Sequence, residues 1–375
     1  MNTGNVPMKS EERISLLLRA LYEQYGYAQY KMSKFEEYDL YVSNKDFLIS
    51  DSVITFTDTN GKLMALKPDM TLSIVKNTKD AAGTLSKVYY DENVYRVSKG
   101  THSFKEIKQV GLECIGDLDA YSLYEVLMLA AESLQSISGE CVLDISHLGI
   151  LSGVLESLGV SEDVQNDLLR CMGEKNPHEL TAICKANAIQ DEDIDLLKAL
   201  ISLYGTPKEV LPKLAALLQG KIDEALLKNF TEILEAFQGS PLQSMLRIDF
   251  SVVSDMHYYN GIVFKGFVKG IPDSVLSGGQ YDKLLQKMNR KSGAIGFAVY
   301  LDLLERMEES SKDFDVDILL LYTEGTTLSN LRDAVARLSA RGDRVMVQRA
   351  VPEKLRARQV MKLTNGEVEL LEDNA

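Results

Sequence analysis

Alternation of polar and apolar positions between Val94 and Gly116 predicts two β-strands joined by a polar loop that contains a glycine. In the second strand, Gln109, Gly111 and Glu113 fall on one face, because side chains along a strand alternate between its two faces. A glycine between two polar residues removes a side chain where a ligand or another backbone approaches. The pattern fits the floor of a polar pocket and a solvent-facing edge strand equally well.

Helices are predicted where apolar residues recur three and four positions apart. Outside the middle of the chain they span residues 10–25, 72–77, 121–137 and 328–341. Ser10 is placed to cap the first helix and Gly26 to end it. Thr71 precedes the second helix, and it is expected either to cap that helix or to face a ligand.

Strands are predicted from short alternating or apolar runs bounded by turn residues. They span residues 142–146, 245–253, 262–268, 315–322 and 344–348, and residues 27–35 are also expected to be extended. Residues 55–66 should form a hairpin, because Asn60-Gly61 between alternating runs is a strong turn signal. Residues 293–304 are typical of a strand that leads into a helix.

The middle of the chain has a different pattern, in which amphipathic helices follow one another from Ile150 to about Gln238. Examples are residues 164–171, 193–204 and 222–237, with breaks at 176–177 and 205–207. We therefore predict an all-helical insertion whose many carboxylates form a solvated face.

The composition is that of an ordinary globular protein, with 375 residues of which 45% are hydrophobic and 26% are charged. No apolar run reaches the roughly 18 residues that a membrane span needs, and residues 1–7 do not have the pattern of a signal peptide. We expect a cytoplasmic protein without a membrane partner. The net charge of −14 disfavours a nucleic-acid partner such as tRNA.

The cysteines and histidines show no metal-ligand spacing and no Cys-x-x-Cys pair. The cysteines are Cys114, Cys141, Cys171 and Cys184. We expect them to be buried thiols. No metal and no cofactor is predicted.

Four stretches resemble, in the same order, motifs of the histidyl-tRNA synthetase family, which belongs to the class II aminoacyl-tRNA synthetases. Residues 94–116 resemble motif 2, in which an aromatic-Arg pair, here Tyr95-Arg96, opens a hairpin and Gln-x-Gly-x-Glu closes it. The other three are Leu-Lys-Pro-Asp-Met-Thr at 66–71, Met-His-Tyr-Tyr-Asn-Gly-Ile-Val-Phe at 256–264 and Ser-Gly-Gly-Gln-Tyr-Asp at 277–282. Residues 293–304 resemble motif 3, and residues 27–35 resemble the dimerisation motif without its proline.

The resemblance implies an α+β fold with a class II synthetase-like antiparallel sheet core, a helical insertion and a small C-terminal α/β domain. The predicted domains are residues 1–149 and 241–311 for the two parts of the core, 150–240 for the insertion, and 312–375 for a truncated anticodon-binding-like domain. That last domain carries a basic cluster, which consists of Arg341, Arg344, Arg349, Lys354, Arg356, Arg358 and Lys362. We expect a truncated or repurposed domain there rather than an anticodon reader.

The resemblance also implies a pocket for histidine. Asp69, Thr71 and Gln109 match residues that surround the α-amino group in the family, while Glu113 and Tyr259 match those that meet the imidazole. The predicted set also contains Arg96, Tyr258, Gly278 and Gly279. The two glycines are included because glycine permits backbone geometry that is closed to other residues.

The chain departs from the family at positions that serve the nucleotide. They are Ser98 in place of a glutamate, and Ser254, Gln280 and Leu303 in place of arginines. Amino-acid activation develops negative charge that cations must stabilise, so these losses predict an inactive adenylation site.

This combination resembles the family of ATP phosphoribosyltransferase regulatory subunits, which act in the first step of histidine biosynthesis. The resemblance implies no catalytic residues, a short-form catalytic subunit as partner, a homodimer within a hetero-oligomer, and histidine as ligand. The alternatives are a divergent histidyl-tRNA synthetase and a stand-alone histidine-binding or scaffold module.

Overall fold

The computed structural model describes residues 9–44, 53–79, 83–97, 103–253, 258–304 and 314–374. The chain divides into two compact units, Glu11–Leu304 and Glu305–Ala375 together with Met1–Ser10. The four-part division expected from the sequence stays a prediction. Within the described ranges, no helix is long and apolar enough to cross a lipid bilayer.

The larger unit is built on a nine-stranded sheet. In spatial order its strands are β1 (Ala28–Gln29), β5 (Leu85–Val97), β6 (Phe104–Gly116), β12 (Gly293–Tyr300), β11 (Leu276–Gln280), β10 (Ile262–Val268), β7 (Cys141–His147), β9 (Leu246–Asp249) and β8 (Tyr204–Gly205). All neighbours are antiparallel except the pairs β1–β5 and β7–β9. The sheet is therefore mixed, and the predicted α+β class is confirmed.

The predicted hairpin of residues 94–116 is the end of β5 and the whole of β6. The two strands pair in register from Leu85 opposite Gly116 to Val97 opposite Phe104. Residues 98–102, which include Ser98, lie outside the described residues. Gln109 and Glu113 are both buried, so the solvent-facing alternative for this strand is wrong.

One face of the sheet is covered by helix α4 (Ala120–Ile137), whose N-terminus is capped by the side chain of Asp119. A Cβ atom at Gly266 on β10 would lie 2.6 Å from Leu134 of this helix, so glycine allows the helix to pack closely. Helix α1 (Ser10–Gln24), predicted at 10–25, contributes Leu18 and Tyr22 to the same core. The opposite face of the sheet carries the polar residues described below.

A second, three-stranded sheet holds the predicted hairpin of residues 55–66. Its strands are β2 (Phe35–Glu37), β4 (Leu63–Leu66) and β3 (Thr55–Thr57), in that order. The Asp58 side chain accepts hydrogen bonds from the amides of Asn60 and Lys62, and Gly61 has φ +81°. The turn signal was therefore correct. In the sequence, helix α2 (Tyr38–Val42) lies between β2 and β3, and helix α3 (Thr71–Asn77) follows β4.

The insertion is helical with one exception. Its helices are α5 (Leu148–Ser157), α6 (Glu162–Gly173), α7 (Pro177–Ala186), α8 (Asp191–Ser202), α9 (Pro207–Leu218) and α10 (Glu224–Glu235). The all-helical prediction is wrong at Tyr204–Gly205, which pair with Asp249 and Ile248 as the last strand of the large sheet. Apolar residues of the insertion belong to the same core cluster as α4.

The end of the larger unit agrees in part with the motif 3 prediction. The predicted strand is β12, and it leads into a 3-10 turn at Leu301–Leu303. Residues 305–313, where the predicted helix would continue, are outside the described ranges. Helix α11 (Asp282–Lys287) follows β11 directly.

The C-terminal unit has its own four-stranded sheet. The strand order is β14 (Val345–Gln348), β13 (Val316–Leu321), β15 (Ala357–Thr364) and β16 (Glu367–Asp373), with helix α12 (Leu328–Ser339) between β13 and β14 in the sequence. The first three strands are parallel and β16 is antiparallel to β15. The strands of residues 315–322 and 344–348 were predicted, whereas β15 and β16 were not.

The basic cluster of this unit is largely paired with acids. Arg344 lies 3.0 Å from Asp317, Arg356 lies 3.5 Å from Asp315, and Arg358 lies 2.7 Å from Asp343. Arg349 is also paired, at 3.5 Å from Glu324. Four of the seven basic side chains of the cluster therefore form ion pairs.

Candidate functional site

A small polar cavity lies where β6 and β12 meet, on the sheet face opposite α4. Its volume is about 30 Å³, which is room for about two water molecules. It is lined by Asp69, Thr71, Tyr90, Arg96, Gln109, Glu113, Tyr258, Tyr259, Ser277, Tyr281, Gly296, Phe297, Ala298 and Tyr300. Seven of the nine residues predicted from the sequence are thus brought together, and the other two, Gly278 and Gly279, are not in the lining.

Glu113 is the buried centre of this cavity. Its Oε1 accepts a hydrogen bond from the Thr71 hydroxyl at 2.7 Å, and its Oε2 accepts one from the Tyr281 hydroxyl at 2.5 Å. Burial raises the pKa of Glu113 to about 8 even though both hydrogen bonds lower it. Glu113 is therefore mainly a neutral carboxylic acid at pH 7.

The position opposite Glu113 on β12 is Gly296. A Cβ atom there would lie 1.8 Å from Oε2 of Glu113 and 2.5 Å from the carbonyl oxygen of Leu112. A side chain at this position would displace the carboxyl group. The sheet therefore accommodates Glu113 because its cross-strand partner is glycine.

Helix α3 begins at the edge of the cavity and fixes two of the predicted residues. Asp69 Oδ1 accepts a hydrogen bond from the Leu72 amide at 3.0 Å, so Asp69 satisfies one of the free amides in the first turn of this helix. The Thr71 hydroxyl donates to Glu113 instead, so Thr71 does not cap this helix, and its role beside a ligand stays a prediction. Burial raises the pKa of Asp69, opposed by the Leu72 amide and by Arg96.

Arg96 is the one cation among the described residues that line the cavity. Its Nε donates to the carbonyl oxygen of Pro68 at 3.0 Å, which ties β5 to the loop before α3. Lys67, at the other end of that loop, is fully buried and lies 2.8 Å from Glu92. These contacts hold the Lys67–Asp69 loop against β5.

Tyrosine rings close the cavity. Tyr258 contacts Tyr259 with ring centroids 4.5 Å apart and Tyr281 with centroids 5.7 Å apart. Burial raises the pKa of all three well above the usual value, so they are neutral hydrogen-bonding groups. The cavity is far below the roughly 300–1,000 Å³ of typical ligand pockets. The space beside this tyrosine wall is therefore smaller than an amino acid.

The roles predicted for Gly278 and Gly279 need correction. Neither has a positive φ, so neither is required by backbone conformation. A Cβ atom at Gly279 would lie 2.7 Å from the Tyr259 ring, and one at Gly278 would lie 2.7 Å from the Phe264 ring. These glycines make room for aromatic rings on the two faces of β11, one layer away from the cavity.

Gly111 also makes room for a protein side chain rather than for a ligand. It pairs with Tyr90 on β5, and a Cβ atom at Gly111 would lie 2.5 Å from the Tyr90 hydroxyl. Tyr90 was missed because it lies nineteen positions before Gln109 and reaches the cavity only through the register of β5 and β6. Tyr281 belongs to the Gly-Gly-Gln-Tyr-Asp stretch, from which only the two glycines were predicted to be site residues.

Two of the four departures from the family lie in the described residues. The Gln280 side chain donates to Asp282 at 2.8 Å and packs against Gly261, and it does not line the cavity. Leu303 packs against the large apolar core. Ser98 and Ser254 are outside the described residues, as are Met256 and His257.

Larger cavities exist in the insertion, between α9 and α10. Their volumes are about 590 and 420 Å³, and Ala215, Thr231 and Glu235 line both. None of the predicted site residues lies there. Of these three cavities, only the smallest brings together buried carboxyl groups, hydroxyl groups and a strand glycine that leaves room for them. It is therefore the candidate binding site.

Comparisons with known proteins agree with this architecture. The profile of the histidyl-tRNA synthetase family matches residues 6–304. A regulatory subunit of ATP phosphoribosyltransferase from Clostridium botulinum (strain Langeland) is 28% identical over 333 residues, which are 86% of this chain and 78% of that relative.

Two solved structures show the same fold. One is an ATP phosphoribosyltransferase regulatory subunit/histidyl-tRNA synthetase from Bacillus halodurans, with a TM-score of 0.72, 24% identity and coverage of 94% of this chain and 93% of the other. The other is a chain of the ATP phosphoribosyltransferase HisG:HisZ complex from Thermotoga maritima, with a TM-score of 0.60, 17% identity and coverage of 79% and 98%. Since its family profile spans most of the larger unit, this chain belongs to the histidyl-tRNA synthetase family.

Proposed function

We propose that the chain is a non-catalytic regulatory subunit of ATP phosphoribosyltransferase, which acts in the first step of histidine biosynthesis in the cytoplasm. It would activate a short-form catalytic subunit and make that subunit responsive to histidine. Support comes from the Clostridium relative, which is such a regulatory subunit, and from the fold shared with a chain of the Thermotoga complex.

The observation that carries the proposal is that, among the described residues, Gln280 and Leu303 stand at two positions where the resemblance leads us to expect arginines. Negative charge on the α-phosphate must be stabilised in the transition state of activation. Gln280 is bonded to Asp282, and Leu303 is packed in the core, so neither side chain can meet a phosphate. Arg96 remains, and its Nε is occupied by the carbonyl of Pro68.

The alternative, a divergent histidyl-tRNA synthetase, is favoured by the retained pocket residues Asp69, Gln109 and Glu113. The C-terminal unit argues against it, because a tRNA-binding surface needs unpaired positive charge. Arg344, Arg356 and Arg358 are instead paired with neighbouring aspartates, and the whole chain carries a net charge of −14.

We also propose that the chain forms a homodimer through the three-stranded sheet. Phe35 and Phe56 are exposed on one face of this sheet with ring centroids 5.4 Å apart, and the half-buried Met64 is paired with Phe56 on the same face. Exposed aromatic and aliphatic side chains that lie together are typical of protein interfaces. Burial of this surface against a second copy would remove it from water.

Histidine is the ligand that we propose for the cavity. Asp69 and Gln109 would hold its ammonium group, and Glu113 would hydrogen-bond its imidazole. A carboxyl group whose pKa is about 8 can donate its proton to a ring nitrogen or accept from it, so Glu113 suits an imidazole. Entry of histidine would displace the tyrosine wall, and this movement would report that the pocket is occupied.

The test combines the purified chain with a short-form ATP phosphoribosyltransferase catalytic subunit. We expect the two to co-elute in size-exclusion chromatography and the transferase rate to rise, while the chain alone gives no histidine-dependent ATP–pyrophosphate exchange. Separate elution at micromolar concentration with an unchanged rate would contradict the regulatory role. Steady exchange at about 1–10³ per second, which is usual for enzymes, would support the synthetase alternative.

A further inference from the structure

Helices α9 and α10 of the insertion have a long groove between them. The two larger cavities, of about 590 and 420 Å³, share Ala215, Thr231 and Glu235, so they are two halves of one groove. One half lies where α9 begins and α10 ends, and the other lies where α9 ends and α10 begins. Each helix has 12 residues, so the groove is roughly 18 Å long.

The floor of the groove is formed by one stripe of residues from each helix, which are apolar except for one threonine. The stripes are Leu211, Ala215 and Leu218 on α9, and Leu227, Thr231 and Leu234 on α10. Both stripes have the spacing i, i+4, i+7, which places their side chains on one face of each helix. Two neighbouring helices with such stripes form the surface on which a third helix packs in a bundle.

The shape of the groove suits a helix better than a small molecule. Its centre is shallow, because Ala215 is exposed and Thr231 is half-buried, whereas Leu218 and Leu234 are buried towards the two ends. Small residues at the centre of a contact allow two helix axes to come close together. A small ligand is usually fixed by polar groups that converge on one point, but here the charged side chains are spread along the rim.

The rim along α10 is acidic. Glu224, Glu232 and Glu235 all line the larger half, and of the described residues that line this half Lys228 is the one cation. Within the described part of the chain, none of these three carboxylates has an ion-pair partner or a side-chain hydrogen bond. The rim therefore carries negative charge that the fold does not neutralise.

Carboxylates elsewhere in the insertion are neutralised by neighbouring cations. Glu179 lies 2.6 Å from Arg170, and Asp193 lies 3.4 Å from Lys221. A partner that supplied lysines or arginines along the α10 rim would give the groove the same compensation. Complementary charge at a rim also accelerates association and selects the partner.

We propose that this groove binds an amphipathic helix of the catalytic subunit. Its apolar stripe would lie on the floor, and its lysines or arginines would lie beside Glu224, Glu232 and Glu235. A groove that takes up the apolar face of a helix is a recurrent mode of recognition. The inference rests on the proposed regulatory role and names the surface through which the two subunits would meet.

The first test fills the centre of the groove. Ala215→Arg places a long, charged side chain where the helix would pack, and the matched control is Ala216→Arg, at the next exposed alanine of α9, which lines neither half. Calorimetry with the full-length short-form catalytic subunit should show about a tenfold or larger loss of affinity for Ala215→Arg, because central contacts carry most of the binding energy. Ala216→Arg should bind as the parent does.

The second test reverses one charge on the rim. Glu232→Lys should weaken binding about threefold at low salt, and the loss should disappear in 1 M salt, because an exposed charge is screened there. The matched control is Glu156→Lys, which makes the same change of charge at an exposed residue of α5 outside the groove. If Ala215→Arg unfolds at a lower temperature than Ala216→Arg, Glu232→Lys decides, because its side chain is exposed.

The outcomes separate this inference from the proposed function. If the parent binds the catalytic subunit and both Ala215→Arg and Glu232→Lys bind it equally well, the groove is not the docking surface, while the regulatory role stands. Equal loss in a variant and its control would also overturn the inference. A change in the mass of the chain alone by light scattering, with unchanged binding of the catalytic subunit, would assign the groove to a second copy instead. If the parent does not bind the catalytic subunit, the regulatory role is wrong and this inference is wrong with it.

Discussion

Carboxyl groups are treated in opposite ways by the cavity and by the C-terminal unit. At the cavity, burial raises the pKa of Glu113 to about 8 and also raises that of Asp69. In the C-terminal unit, hydrogen bonds from Arg344 lower the pKa of Asp317, and hydrogen bonds from Arg356 lower that of Asp315. The cavity holds its carboxyl groups in a buried site with few cations, whereas the C-terminal unit pairs its carboxyl groups with arginines near water.

The two regions differ in whether a ligand would improve their electrostatics. The paired aspartates of the C-terminal unit satisfy one another with their arginines and need no partner. Buried acids without a cation are unfavourable for folding, and such groups concentrate at functional sites. The cavity is therefore the region in which a bound ligand would improve the electrostatics.

The largest effect on stability is expected from a side chain at position 296 that fills the space Gly296 leaves for Glu113. In Gly296→Ala the new methyl group would meet both the Glu113 carboxyl group and the Leu112 carbonyl oxygen, and the latter cannot rotate away. We expect the free energy of unfolding to fall by about 3 kcal/mol in denaturant titrations.

The matched control for this variant is Gly139→Ala in the same unit. A Cβ atom at Gly139 would have no neighbour within 4 Å, and the residue does not have a positive φ. Its free energy of unfolding should stay within about 0.5 kcal/mol of the parent. Equal stability of Gly296→Ala and Gly139→Ala would mean that the cavity is not tightly packed around Glu113.

The next effect is a dependence of stability on pH that Glu113 should cause. Its pKa is raised in the folded state, so its contribution is fully present below the unfolded value of 4.5 and is lost as pH rises through about 8. From pH 6 to pH 8 the parent should lose about 2 kcal/mol more than Glu113→Gln, because each pKa unit corresponds to about 1.4 kcal/mol. Parallel losses in the two proteins would contradict the buried, neutral state of Glu113.

The smallest effect on stability is expected in the C-terminal unit. There, stability should fall as pH falls rather than as pH rises. Asp317 has a lowered pKa, so its contribution is present above about 3.8 and is lost as the medium becomes more acidic. Because the pair with Arg344 is partly exposed, Asp317→Asn should cost at most about 1 kcal/mol at low salt and less in 1 M salt. A cost that is unchanged by salt in thermal unfolding would show that the pair is not a screened surface interaction.

Local patterns were enough to predict the elements whose signals lie within one stretch of sequence. Alternation predicted the β5–β6 hairpin, and the Asn60-Gly61 signal predicted the β3–β4 turn. The apolar stripe of residues 121–137 predicted α4, which begins one residue earlier. In each case the residues that form the element also carry the information that specifies it.

Features that depend on partners distant in the chain were missed. Tyr204–Gly205 forms a strand only because Leu246–Asp249 lies beside it, and a two-residue run has no periodicity of its own. The hairpin of β15 and β16 did have a local signal, since Asn365 and Gly366 both have positive φ and form its turn. The acidic composition of Glu367–Asp373 obscured the alternation there.

The candidate site shows the same limit. Asp69, Thr71, Gln109 and Glu113 were identified by resemblance, and the structure brings them to one cavity. Tyr90, Ser277 and Gly296 reach it through strand registers that no local pattern encodes. The size of the cavity was also unpredictable, because it depends on the positions of the tyrosine rings.

The pairing of β6 with β12 has a consequence for how the protein is made. Residues 109–116 find residues 293–300 as their neighbours, so one edge of β6 is without its final partner until nearly the whole larger unit has left the ribosome. At about 5–20 residues per second this interval lasts on the order of ten seconds or more. Contacts so distant in sequence also form slowly. During synthesis, the strand that carries Gln109 and Glu113 thus has an edge that is open to pairing with other chains.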